Sequence, residues 1–119
     1  MRVEKDFLGG REIPDDALYG LQSLRAKENF ALSYRPVHPK LLRAFVLVKK
    51  AAAVTYQKLA GREGGGRDEI YRAIAAACDA LLEREESFSS SDLFVTCALQ
   101  GGAGTSININ VNEVLANLA

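Results

Sequence analysis

The last 19 residues, GGAGTSININVNEVLANLA (101–119), concentrate the side chains of this sequence best suited to receiving an anion. Thr105 and Ser106 follow a glycine-rich stretch, and asparagines recur at Asn108, Asn110, Asn112 and Asn117. Hydroxyls and carboxamides donate hydrogen bonds without burying a fixed charge. At the first turn of a helix they would add to backbone N–H groups that lack an intrahelical acceptor and to a partial positive charge of about half a unit. EVLANLA continues as an amphipathic helix leaving a Gly-rich turn, which fits that placement. Thr105–Val111 also alternates as a half-buried strand does, with Ile107, Ile109 and Val111 on one side and Ser106, Asn108 and Asn110 on the other. On the residues alone both strand and helix start fit. Within the helix reading, Thr105 and Ser106 suit plain N-capping as well as ligand binding.

Other chemistry-bearing side chains are few. His38, the only histidine, precedes Pro39 at a helix start, where a capping or surface role is expected. Cys78 and Cys97 lie in apolar surroundings without metal-ligand spacing and read as buried thiols of a reducing compartment. With one histidine and no Cys/His cluster, no zinc site is expected within the chain. GREGGGR (61–67) has neither a strand before it nor a Lys-Ser/Thr pair after it, so it reads as a loop and not a phosphate cradle. Arg25, Lys49 and Lys50 could lend positive potential toward an anion, although surface or structural ion pairing is the expectation for all three. Fifteen basic and fifteen acidic residues cancel, without a like-charge run, so neither a nucleic-acid footprint nor a basic membrane-binding stretch is present. No run approaches the roughly 20 apolar residues of a membrane span, and MRVEKDF lacks a signal-peptide core. A cytoplasmic location is expected.

The elements that must position these groups are mainly helical. RVEKDFLGGREIP predicts a hairpin turning at Gly9 and Gly10. Pro14, Asp15 and Asp16 offer a helix start, and Leu18, Leu21 and Leu24 recur at helical spacing, with Gly20 weakening the first turn. Pro36 and Pro39 separate that helix from a longer one, in which Leu41, Phe45, Val48, Ala52, Tyr56 and Leu59 mark the expected buried stripe. Its other side, with Leu42, Ala44, Val46, Leu47, Ala51 and Ala53, is apolar too, so packing on several sides is expected. From Asp68, the positions Ile70, Ile74, Ala77 and Leu81 define a second, antiparallel helix ending at EREE. SFSSSD reads as a polar linker, and DLFVTCALQ as a short extended piece passing through or over the core. VNEVLANLA stops without the Gly, Pro or basic last turn that usually accompanies a helix end, so the sequence reads as part of a longer protein.

QGGAGTS, followed by N-x-N-x-N-E-V-L-A-N at 108–117, resembles the aspartase/fumarase superfamily, and within it the aspartate ammonia-lyase branch. DFLGGREIPDDALYG, LRAKENF, VKKAAA (48–53) and AIAAACDALL (73–82) agree in order and spacing, so the resemblance covers essentially the whole chain. It implies a mainly α fold: an N-terminal helical domain with a short β-hairpin (1–104), leading into the first helix of a long helical bundle (105–119). It also implies that the Thr-Ser-x-Asn segment is helical, answering the question of strand or helix that periodicity leaves open. The implied reaction is reversible elimination of ammonia from L-aspartate to give fumarate, without a cofactor, in a cytoplasmic homotetramer whose active sites draw on three subunits. Thr105 and Ser106 are then the groups for a substrate carboxylate. Asn108, one turn on from Thr105, supports that pocket or reaches the substrate, and Asn112 continues the same face. Asn110, Asn112 and Asn117 are expected to make helix-to-helix hydrogen bonds. The superfamily's catalytic base is a serine on a Gly-Ser-Ser loop that this sequence does not contain, so the chain alone is expected to hold no catalytic residue and to be inactive.

Fumarase-like sequences usually read S-G-T-Q-S-N-M-N at the motif; Ala103 before Gly104, and Ser106 in place of glutamine, favour the aspartase branch. Cys97, standing where that branch often carries an acidic residue, and Ile107 and Ile109 depart from its pattern. Two other classes stand beside this reading: a class II fumarase, and a non-catalytic helical module presenting the apolar stripe of its last helix to a partner.

Overall fold

The computed structural model describes residues 1–32, 35–63, 67–100 and 102–119, with the backbone alone at 61–63. Two strands, β1 (Arg2–Asp6) and β2 (Gly9–Ile13), form an antiparallel hairpin. Four helices follow: α1 (Leu21–Asn29), α2 (Pro39–Glu63), α3 (Asp68–Leu82) and α4 (Thr105–Leu118), with a 3-10 turn at Glu85–Ser89. The predicted mainly α fold with one hairpin is the fold observed.

The hairpin turns two residues earlier than predicted. Asp6 pairs with Gly9, so Phe7 and Leu8 form a two-residue loop. The Leu8 N–H donates to the Asp6 carboxylate at 2.9 Å, and Gly9 takes φ +107°, a value that L side chains rarely adopt. Asp6 also binds Arg25 of α1 at 2.7 and 2.9 Å, and the same guanidinium reaches the Gly9 carbonyl at 2.9 Å, fastening the hairpin to the helix.

The predicted helix start at Pro14–Asp16 does not form; α1 begins at Leu21, after Gly20. The Arg2 guanidinium accounts for the difference. It donates to the carbonyls of Pro14, Asp15, Ala17 and Tyr19 at 2.8 to 3.2 Å, claiming acceptors that a helix would have used internally. The N-terminus of α1 is held instead by two distant carboxylates. Glu4 accepts from the Leu21 N–H at 2.8 Å, and Glu113 of α4 accepts from those of Gly20, Gln22 and Ser23 at 2.9 to 3.0 Å. Negative charge on unpaired N–H groups at the positive end of a helix dipole is the favourable arrangement.

On α2 the buried face is not the predicted one. Leu42, Val46 and Ala53 are buried, whereas Leu41, Val48, Tyr56 and Leu59 of the predicted stripe are exposed. Both rows have helical spacing because α2 is apolar nearly all round, and only tertiary contact chooses between them. The stretch Gly64, Gly65 and Gly66, assigned to a loop from sequence, lies outside the described residues; α2 itself continues to Glu63. Lys50 pairs with Asp79, and Tyr56 stacks on Tyr71 with ring centroids 5.6 Å apart, so α2 and α3 run antiparallel. Ala77 and Leu81 of the α3 stripe are buried, and Ile70 is exposed.

SFSSSD is partly structured, since the 3-10 turn carries buried Phe88, whose ring stacks on Phe94 at 6.2 Å. Residues 93–98 run irregularly over the core, held by a bridge between Pro36 and Cys97. One cluster, including Val37, Leu42, Val46, Cys78, Leu81, Phe88, Phe94, Ile107, Val111 and Val114, joins α2, α3, α4 and both connecting segments. Each fully buried aliphatic side chain there contributes about 1.5–3 kcal/mol.

Candidate functional site: the start of helix α4

Residues 105–118 form a helix, and its buried positions are Ile107, Asn110, Val111, Val114 and Leu115, a stripe at steps of three and four. Ile109 is only half-buried, so the strand-like alternation is a coincidence of composition. The chain enters α4 through Gly102 and Gly104, both left-handed at φ +81° and +82°. Gly104 is the N-cap, and no side chain caps the helix. Plain capping by Thr105 or Ser106 is therefore not what these residues do; they stand one and two positions inside the helix. Thr105 is exposed and Ser106 half-buried, and neither hydroxyl has a hydrogen-bond partner among the described residues. The first helical bond runs from the Asn108 N–H to the Gly104 carbonyl at 3.1 Å.

Asn108 lies one turn on. Its Oδ1 accepts from the Lys49 ammonium of α2 at 2.7 Å. Burial pulls the Lys49 pKa below the ordinary lysine value, with the nearby Cys78 opposing. The structure therefore brings Thr105, Ser106, Asn108 and the Lys49 ammonium to the first turns of α4. Arg25 and Lys50 do not join them: Arg25 is committed to Asp6 and Lys50 to Asp79. A pocket of about 340 Å³ between α2, α3 and α4 reaches Lys49 and Asn112, but its other walls are Ala52, Ala53, Tyr56, Tyr71, Ile74, Leu115 and Ala116. Such apolar walls do not suit a dicarboxylate, and Thr105 and Ser106 are not among them.

Asn110 and Asn117 are structural, with partners other than the predicted helix-to-helix ones, whereas the bond expected of Asn112 is not found among the described residues. Buried Asn110 bonds no helix; its Oδ1 accepts from the N–H groups of Val95 and Thr96 at 2.9 and 3.3 Å, and its Nδ2 donates to the Leu93 carbonyl at 3.0 Å. Asn117 donates to the Leu18 carbonyl at 2.7 Å, before α1 begins, and Asn112 makes no side-chain bond among the described residues. Cys78 is fully buried, and desolvation raises its thiol pKa. Cys97, predicted buried, is only half-buried, and its Sγ accepts from the Leu99 N–H at 3.3 Å. His38 is exposed and caps α2, its Nδ1 accepting from the Lys40 N–H at 3.2 Å.

Sequence reasoning missed Glu113. It lies on the flank of α4 and ties the site helix to α1, and its carboxylate passes so close to Gly20 that an added Cβ there would stand 2.8 Å from it. Gly20 just before a helical run was the available signal, because a residue without a Cβ leaves room for another group to approach its backbone closely.

The sequence pattern of a lyase family matches residues 9–119. The chain belongs to that lyase family. An aspartate ammonia-lyase from Bacillus sp is 47% identical over 120 residues, which cover 100% of this chain and 24% of the relative. The crystal structure of fumarate lyase:delta crystallin from Brucella melitensis superposes with a TM-score of 0.80 at 46% identity, covering 97% of this chain and 25% of that one. A class II fumarase from Schistosoma mansoni superposes with a TM-score of 0.79 at 30% identity, over 96% of this chain and 22% of that one. The chain thus spans about a quarter of the length of the curated relatives it matches.

Proposed function

We propose that the protein to which this chain contributes is an aspartate ammonia-lyase, and that the start of α4 receives a substrate carboxylate. The observation that carries this reading is the helix start without a side-chain cap, where two hydroxyls that have no partner among the described residues follow a glycine turn, with Asn108 one turn on. In the reaction a base removes a proton from the carbon beside the β-carboxylate, the C–N bond breaks and ammonia leaves. While the proton is being removed, that carboxylate takes up a second negative charge as an aci-carboxylate. Donors fixed in advance around its oxygens lower the barrier because they need not reorient as the charge develops. Thr105, Ser106 and the α4 amides are such donors, and Asn108 adds a carboxamide.

No residue of this chain is assigned the base, so turnover belongs to the longer protein, which we take to be a cytoplasmic homotetramer. The relatives named aspartate ammonia-lyase support this reading, as do Ala103 and Ser106 in the motif. The likeness to a class II fumarase keeps fumarate hydration as a second reading. The full-length protein, assayed at the fumarate absorbance with L-aspartate and with L-malate, separates them. Fumarate from aspartate alone is expected; turnover of malate alone would overturn the assignment.

A further inference from the structure

Lys49 of α2 and Asn108 of α4 meet across 59 residues of sequence in a hydrogen bond of 2.7 Å. A carboxamide has an accepting limb and a donating limb, and at its edge the two are easily exchanged by a flip. An ammonium can only donate, so contact with Lys49 dictates that the oxygen faces α2 and the NH2 group faces away. The two Nδ2 donors have no acceptor among the described residues. A helical side chain leans toward the N-terminus of its own helix, so Asn108 leans toward the turn carrying Thr105 and Ser106.

The lysine itself is unusual in its company. Lys50 next to it has a carboxylate partner, whereas Lys49, half-buried, forms no ion pair among the described residues and spends its contact on a neutral oxygen. Partly desolvating an ammonium for a neutral acceptor is costly as a way of stabilising a fold.

We propose that Lys49 is a positioning residue: by gripping Oδ1 of Asn108, it turns the Asn108 NH2 group toward the dicarboxylate held at the start of α4. This rests on the substrate reading above, and the test keeps the two apart by using succinate, which binds as a dicarboxylate but has no amine to lose. In the full-length protein, succinate affinity is measured by calorimetry for wild type, Lys49→Met, Lys49→Arg, Asn108→Ala and the Lys49→Met/Asn108→Ala pair, and KM and kcat for aspartate alongside. Each of Lys49→Met and Asn108→Ala should weaken succinate and raise KM by about tenfold, with kcat less affected, the double variant no worse than the weaker single, and Lys49→Arg recovering most of the loss. A merely structural lysine would lower thermal stability and leave succinate affinity unchanged. Unchanged affinity in Lys49→Met, or losses that add in the double variant, overturns the proposal. Should Lys49→Met fail to fold, Asn108→Leu decides: it is uncharged and of similar shape but has no NH2 group, so affinity should fall about tenfold, and an unchanged value overturns the proposal. Wild type that binds succinate but leaves aspartate intact sinks the ammonia-lyase assignment while the succinate comparison still decides the role of Lys49; wild type that does not bind succinate sinks both.

Discussion

Replacing Glu113 with alanine should cost far more than loss of an exposed charge. Its Oε2 accepts from the N–H groups of Gly20 and Ser23 and from the Ser23 hydroxyl, and its Oε1 accepts from the Gln22 N–H. The Gln22 N–H is exposed and recovers a bond from water, but those of Gly20 and Ser23 are part-buried, and the Ser23 side chain is fully buried. Counting about 1 kcal/mol for each of those two N–H groups, and about 1 kcal/mol for the lost charge at the helix start, gives about 3 kcal/mol. For a domain of this size that is about 10 °C in Tm. Glu113→Gln keeps one accepting oxygen and the shape, and should lose about half as much. Urea denaturation followed by circular dichroism gives both values. A cost below about 0.5 kcal/mol for Glu113→Ala, typical of a surface ion pair, would refute the claim that this carboxylate holds α1.

Gly20→Ala should destabilise wild type but cost less in the Glu113→Ala background, because the clash lies between the new Cβ and that carboxylate; equal costs in thermal melts would contradict the close approach. Asn110→Leu strands two N–H groups and a carbonyl around a fully buried position, so a loss of about 2–4 kcal/mol is expected by chemical denaturation. Asp6 is held below the ordinary carboxylate pKa, first by its hydrogen bond to Arg25. A depressed carboxyl stabilises the fold above its unfolded pKa and loses that contribution as pH falls through the folded value. Arg25→Ala should therefore destabilise more at about pH 6 than at about pH 2, and a pH-independent difference would argue against the pair. Gly104→Ala meets no clash but forces an L side chain to φ +82°, so a loss of about 1 kcal/mol is expected from its melting curve.

What sequence could reveal depended on how far each interaction reached. The α3 stripe of Ala77 and Leu81 was legible because Asp68 and Glu69 mark the helix start and its large apolar residues recur at steps of three and four. Thr105 and Ser106 stood out by type and by the glycines before them, and the resemblance resolved an alternation that periodicity left open. The face that α2 buries was not legible, since Leu41 and Leu42 head equally good stripes. Nor was the start of α1: the side chains that fix it, Arg2, Glu4 and Glu113, lie up to 93 residues away. Asn110 was recognised as structural, yet its partners in residues 93–96 belong to an irregular segment that no periodicity marks.

The central claim, that the start of α4 holds a carboxylate, is tested most directly by a structure of the full-length protein with succinate bound. A carboxylate oxygen about 2.7–3.2 Å from Thr105 Oγ1, Ser106 Oγ or the amides beside them is the predicted result. Succinate seated elsewhere, with both hydroxyls facing solvent, would contradict it.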